Sequence, residues 1–146
     1  MNDQPLGQQP HPSPAVSHPA NPQKNRKGLT RLWHAGLYSL AGLKAAWIGT
    51  PAFRLELFLF ACMLPAAAYI GKNWVEVALL LSTGVLLMVV ELLNTAIETA
   101  IDRIGLDLHP LSGMAKDLAS AAVFITSCYT GLVWLTAALL HFMQKQ

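Results

Sequence analysis

The chain has 146 residues, of which 53% are hydrophobic and only 12% charged, with a mean hydropathy of +0.40. That balance excludes an ordinary soluble domain and leaves room for one small membrane domain. A formal net charge of +2, with no basic patch interleaved with aromatics, gives no reason to expect a nucleic-acid partner.

Residues 1–28 are a different material from the rest. Six of the nine prolines lie there, among Gln, Asn, Ser and His, with almost no large apolar side chain. Such a segment cannot bury enough surface to offset its ordering entropy, so a disordered, Pro-rich tail is expected. It lacks the apolar core of a secretory signal peptide and is not expected to be cleaved as one. Lys24, Arg26 and Lys27 close it with a short basic cluster suited to anionic headgroups.

From residue 29 to about 48 the pattern becomes amphipathic. Leu32, Trp33, Leu37, Leu40, Leu43 and Trp47 recur at helical spacing against Arg31, His34, Ser39 and Lys44. The stretch is too polar to span a bilayer, and its Trp and Arg content suits a surface helix lying in the interface. Gly49-Thr50-Pro51 ends it, because proline disfavours helical continuity with the residue before it.

Three spans are predicted after that break, at about 51–70, 74–103 and 116–143. The first carries Arg54 and Glu56 near its start and Pro65 as an expected kink. Gly71-Lys72-Asn73 makes a tight turn, and residues 104–113 form the second connection, with Gly and Pro as turn signals. Cys62 and Cys128 lie in apolar stretches with no CxxC or His/Cys cluster, and are read as buried small hydrophobes. Basic residues concentrate before and at the opening of the first span, whereas the turn after it has only Lys72. The positive-inside rule then puts the N-terminus and the 104–113 connection on the cytoplasmic side.

The second span holds the most informative line of the chain. An uncharged run from Val77 to Val90 leads into Glu91-Leu-Leu-Asn94-Thr-Ala-Ile-Glu98-Thr-Ala-Ile-Asp102-Arg103. At ~100° per residue, Glu91, Asn94, Glu98 and Asp102 share an arc of roughly 80°, with Ala96 and Ala100 opposite. Carboxylates at the edge of hydrocarbon are costly unless they face protein, metal or substrate. A solvated face beyond the membrane is the plainer reading of Glu98 and Asp102. Glu91 falls roughly 26 Å along the helix from Trp74, near the edge of a hydrocarbon core about 30 Å thick. A lipid and a soluble nucleotide could meet there.

These residues carry a resemblance. Glu91 to Ile104, followed by His109-Pro-Leu-Ser-Gly-Met-Ala-Lys116-Asp117-Leu-Ala-Ser120-Ala-Ala-Val123, resembles the small integral-membrane diacylglycerol kinases of bacteria. The likeness runs without a gap from about Leu29 to the C-terminus. The E-x-x-N-x-x-x-E pattern joined to A-K-D by a loop of this length is highly specific. An undecaprenol kinase branch shares the frame, but Ser112 to Asp117 and Ser120 to Val123 look more like the diacylglycerol branch.

The resemblance implies an all-α membrane protein of three transmembrane helices and an N-terminal amphipathic surface helix. It further implies a homotrimeric helical bundle with active sites shared between subunits at the cytoplasmic face of the bacterial inner membrane. ATP with Mg²⁺ would phosphorylate the hydroxyl of diacylglycerol. On the same ground, Glu91 matches the general base, and Glu98 a metal and ATP ligand with Asn94 and Asp102 in support. Arg31, Tyr38, Asp107, Leu108, His109, Lys116 and Asp117 match ATP contacts. Phe53, Arg54, Glu56, Ser120 and Trp134 match the lipid-binding positions.

The chemistry is sensible without the likeness. Phosphoryl transfer asks mainly for positioning and for neutralised phosphate charge, and a carboxylate beside the hydroxyl can take its proton. No Walker A, H-R-D or D-F-G set occurs, so neither common nucleotide fold is available. Several residues have duller roles open to them. Lys116 and Asp117 could be helix-start charges, Arg31 a snorkelling headgroup contact, Tyr38 an interfacial anchor, His109 a solvated loop residue and Trp134 a packing aromatic.

One position departs from the family pattern, which has a Glu joining Glu98 at the metal where this chain has Thr50. Three readings follow: Thr50 or water completes the shell around Glu98 and the phosphates, Glu56 stands in, or the protein is a weakened or inactive member. Retained kinase activity is the expectation, since the other matched polar positions are kept. A rival of another class is a non-catalytic or cation-conducting membrane oligomer, with Glu91 and Glu98 lining the ion path. A lipid kinase acting on undecaprenol is the nearer alternative.

Overall fold

The computed structural model describes residues 28–105, 107 and 109–145; the Pro-rich tail and its basic cluster, like Leu108, lie outside them. The described residues are helical almost throughout: α1 (Leu29–Gly49), α2 (Pro51–Ile70), α3 (Trp74–Ile104) and α4 (Pro110–Met143). The chain divides between Leu37 and Tyr38 into two units, so α1 begins in the first and ends in the second. Leu29, Leu32 and Trp33 expose 84%, 70% and 70% of their surface, leaving the start of α1 with apolar side chains bare.

Local chemistry sets the breaks. Thr50 is extended, its N–H still donating to Ala46 O at 2.9 Å, and Pro51 follows at the first helical position, where a missing N–H costs nothing. α2 continues through Pro65 to Ile70. At its end the chain doubles back so tightly that a Cβ on Gly71 would lie 2.6 Å from Val77 Cγ2 and 3.0 Å from Ala67 O. Asn73 then caps α3, its Oδ1 accepting from Val75 N (3.0 Å) and Glu76 N (3.1 Å). Glu76, at the third helical position, reaches back past the cap to accept from Lys72 N at 2.9 Å, a variant of the capping box in which the donor lies one residue before the cap.

The last helix differs from expectation. It starts at Pro110, not near 116, because Pro110 occupies the first helical position and His109 acts as the cap, its Nδ1 accepting from Leu111 N at 3.2 Å. The α3–α4 connection therefore shrinks to residues 105–109. The turn residues read as loop from the sequence, Pro110 and Ser112-Gly113, are the helix's own first turn.

Three helices, α2, α3 and α4, are long and apolar enough to cross a membrane. α3 is central, packing along both α2 and α4, while α2 and α4 touch little. Its seam carries small or polar groups. Thr83 is 1% exposed and donates to Leu80 O (2.7 Å); Trp134 Nε1 reaches Leu80 O (3.2 Å) and Thr83 Oγ1 (3.3 Å), and Thr130 donates to Thr83 O (3.3 Å). In hydrocarbon such bonds replace the hydrophobic effect as the source of interhelical preference. Gly84 completes the α2–α3 contact, since a Cβ there would meet Phe60 Cδ2 at 2.7 Å and Met63 Cε at 3.1 Å.

Cys62 and Cys128 are free and exposed, not buried as the apolar setting suggested. The reason is general to this chain: apolar side chains of a thin bundle face outward, where Phe124 and Ile125 are also 69% and 66% exposed. Apolar setting along a span does not distinguish the core from the lipid-facing surface.

Candidate functional site

The acidic face of α3 changes character along its length. Glu91 is 3% exposed, Asn94 and Glu98 are half-buried, and Asp102 is open. The face therefore passes from protein interior to water within three turns. Asn94 Nδ2 reaches Glu98 Oε1 at 3.5 Å, which leaves Asn94 Oδ1 buried with no partner. On α2, Glu56 Oε2 is likewise buried and without a hydrogen-bond partner. No group of three or more His, Cys, Asp or Glu side chains comes together among the described residues.

Thr50 belongs to this neighbourhood. It is the N-cap residue of α2 but makes no side-chain cap; its Oγ1 instead lies 3.5 Å from Thr95 Oγ1 on α3. Thr95 lies one turn above Glu91, at the edge of the arc about 20° beyond Asp102, so position 50 borders the acidic stripe. Thr95 is a site neighbour that the stripe's charged pattern does not mark, although its spacing of four from Glu91 puts it beside that residue.

Two cavities flank the stripe. The first, of about 580 Å³, lies among α2, α3 and α4 and is lined by Glu56, Phe60, Met63, Gly84, Leu87 and Trp134, among others. Its walls are mainly apolar, and Leu87 is one turn below Glu91. The second, of about 480 Å³, opens where α3 ends and α4 begins and is lined by Asp102, Asp107, His109, Ser112, Gly113 and Lys116, among others. It is the more polar of the two in its side chains, and Lys116 Nζ meets Asp102 Oδ1 within it at 2.6 Å.

The expected site residues sort themselves against these features. Asp107, His109 and Lys116 share the polar cleft, with His109 also serving as the α4 cap. Asp117, next along α4, and Ser120, nearly a turn further on, are exposed. Glu56 and Trp134 share the apolar cavity, Trp134 being tied to α3 as well. Phe53 is buried at 4% exposure, and Arg54 Nη1 donates to Trp47 O at 3.3 Å. Tyr38 is 49% exposed. Arg31 lies in the first unit, exposed, with its N–H donating to Gly28 O at 3.1 Å.

Residues 37–138 match the family model described as prokaryotic diacylglycerol kinase. The chain belongs to the prokaryotic diacylglycerol kinase family. The match spans most of α1 and all of α2 and α3, and it reaches deep into α4. Similar proteins bear the name diacylglycerol kinase. That of Haemophilus influenzae is 48% identical over 107 residues, covering 73% of this chain and 91% of its own. That of Escherichia coli K12 is 42% identical over 118 residues, covering 81% and 97%. That of Pseudomonas aeruginosa is 41% identical over 119 residues, covering 82% and 97%. Family membership and three apolar helices together make this a multi-pass membrane protein of a bacterial kinase family.

Proposed function

We propose that this protein is an ATP-dependent diacylglycerol kinase, transferring the γ-phosphoryl group of ATP to the lipid hydroxyl to give phosphatidic acid. One observation carries the reading: a buried carboxylate, Glu91, stands between an apolar cavity on one side and a polar, lysine-bearing cleft on the other. A kinase that joins a lipid to a nucleotide needs that order of environments. The names of the similar proteins support the same substrate class.

In the proposed mechanism Glu91 accepts the proton of the lipid hydroxyl as its oxygen bonds to the γ-phosphorus and the bond to the β–γ bridging oxygen breaks, releasing ADP. The apolar cavity beside Glu56 holds an acyl chain and keeps water from the reacting oxygen, with Phe53, Arg54, Ser120 and Trp134 completing the lipid contacts. Lys116, with Arg31, Tyr38, Asp107 to His109 and Asp117, binds the nucleotide.

The donor set fits a magnesium ion. Glu98 offers a carboxylate, Asn94 Oδ1 is buried and without a partner, and Mg²⁺ needs only one or two protein carboxylates when phosphates supply the rest. When bound, the ion neutralises charge on the phosphate oxygens. Thr50 would contribute at most an uncharged hydroxyl, so weaker metal affinity is expected here than with a carboxylate at that position. Asp102 lies one turn beyond Glu98 and supports the cleft.

The setting follows from the same reading: the bacterial inner membrane, the N-terminus in the cytoplasm, α1 as an amphipathic surface helix, a homotrimer with shared sites, and a role in phospholipid recycling. The test is Mg·ATP-dependent phosphorylation of diacylglycerol and, in parallel, undecaprenol by the purified protein in mixed micelles. Phosphatidic acid formed by the wild type and lost in Glu91→Gln is the expected result. Product from undecaprenol alone would keep the mechanism and change the substrate. No product from either lipid by a folded protein would refute the reading and favour a non-catalytic or cation-conducting oligomer.

A further inference from the structure

Lys116 on α4 and Asp102 on α3 form an ion pair of 2.6 Å between side chains 39% and 51% exposed. It stands inside the cleft to which the nucleotide is assigned, and this inference rests on that assignment. We propose that Asp102 makes the cleft selective for a nucleotide whose phosphates are already neutralised by a divalent cation, by occupying Lys116 and by repelling a bare triphosphate.

The argument begins with what a phosphate would meet. Lys116 is the principal cation lining the cleft, and its ammonium group is already held by a carboxylate. An exposed ion pair of this kind is weak, so a phosphate can displace Asp102 at small cost. Displacement, however, uncovers a full negative charge within a few ångströms of the incoming phosphates. Asp107 lines the same cleft and adds to it, while His109 has its Nδ1 committed to Leu111 N.

A bare triphosphate therefore exchanges one favourable pair for another and gains an unfavourable one. A divalent cation removes two of the roughly four negative charges of the triphosphate, so the freed carboxylate faces about half the charge. Glu98, which would hold the ion, favours the magnesium complex as well; within the cleft the further discrimination comes from Asp102 and not from Lys116, which attracts both forms. One repulsion between unit charges at about 6 Å, in an effective dielectric of about 40, corresponds to roughly a tenfold change in affinity.

The test is equilibrium binding of a fluorescent, non-hydrolysable ATP analogue to the full-length protein in detergent micelles, once with Mg²⁺ and once with EDTA. Wild type is expected to bind the magnesium complex and to bind the metal-free analogue much more weakly. Asp102→Asn should tighten metal-free binding about tenfold and change binding of the magnesium complex by less than about threefold. Asp102→Glu, which keeps the charge, should retain the wild-type discrimination.

Equal changes in both conditions, or loss of discrimination in Asp102→Glu as well, would overturn the proposal and leave Asp102 a structural tie between α3 and α4. Should Asp102→Asn fail to fold, Asp102→Ser, which also removes the charge, carries the same two expectations. Absence of binding by wild type in both conditions would instead overturn the nucleotide assignment itself.

Discussion

Gly84 and Gly131 both line the apolar cavity, one on α3 and one on α4, and comparing alanine at the two positions tests how tightly α2 meets α3. A Cβ at Gly131 meets nothing within 4 Å, whereas at Gly84 it would lie 2.7 Å from Phe60 Cδ2 and 3.1 Å from Met63 Cε. Replacing a helix-interior glycine by alanine gains about 1 kcal/mol of helix propensity. Gly131→Ala should therefore stabilise by about that amount. At Gly84 the same gain is opposed by overpacking of about 1–3 kcal/mol, since both the Phe60 ring and the Met63 tip must shift to make room. The two variants should then differ by about 1–3 kcal/mol, roughly a fivefold to hundredfold difference in the unfolding equilibrium. Unfolding in mixed micelles of a mild detergent and dodecyl sulfate, followed by helical circular dichroism, measures it. The displaced Phe60 and Met63 atoms should also crowd the cavity, raising KM for the lipid in Gly84→Ala and leaving KM for ATP unchanged. Equal stability shifts in the two variants would refute the reasoning, for then the close approach at Gly84 would not limit the α2–α3 contact.

Trp134→Phe removes the indole donor to Leu80 O and Thr83 Oγ1 and keeps most of the ring; a loss of about 1 kcal/mol is expected, checked by the same unfolding assay. Asn73→Ala deletes the acceptor for Val75 N and Glu76 N and should cost about 1 kcal/mol, with Asn73→Asp restoring it. Thr50→Glu places a carboxylate against the Glu91–Glu98 stripe and should lower the Mg²⁺ concentration giving half-maximal phosphorylation; an unchanged Mg²⁺ titration would show that the hydroxyl at position 50 is not what limits metal binding.

Much of the architecture was legible because its signals are physical and local. The Gly49-Thr50-Pro51 break, the Gly71-Lys72-Asn73 turn and the long apolar runs each depend on neighbours in sequence, and the helix boundaries at 51, 70 and 74 fall there. The acidic stripe was legible for the same reason, since helical spacing alone puts Glu91, Asn94, Glu98 and Asp102 on one face. What escaped depends on contacts between helices. Nothing along the chain tells that Lys116 finds Asp102, that Thr50 meets Thr95, or that Trp134 bonds to Thr83. The start of α4 was misplaced because Pro110 and Gly113 carry the same signal in a loop as in a first helical turn. The cysteines were misplaced because burial in lipid and burial in protein select the same side chains.

α3 is a single uninterrupted helix from Trp74 to Ile104, so the apolar half and the acidic half share one backbone phase. An insertion of one residue between Val90 and Asp102 would turn every carboxylate beyond it by about 100° and advance it by about 1.5 Å. The register between Glu91, Glu98 and Asp102 could be recovered only by adding or removing nearly whole turns, and each turn displaces the acids by about 5.4 Å. The connection at 105–109 carries no such constraint on α3. Length variation in this protein should thus be confined to its connections and its tail, while the rod that carries both the apolar run and the acidic stripe keeps a fixed count.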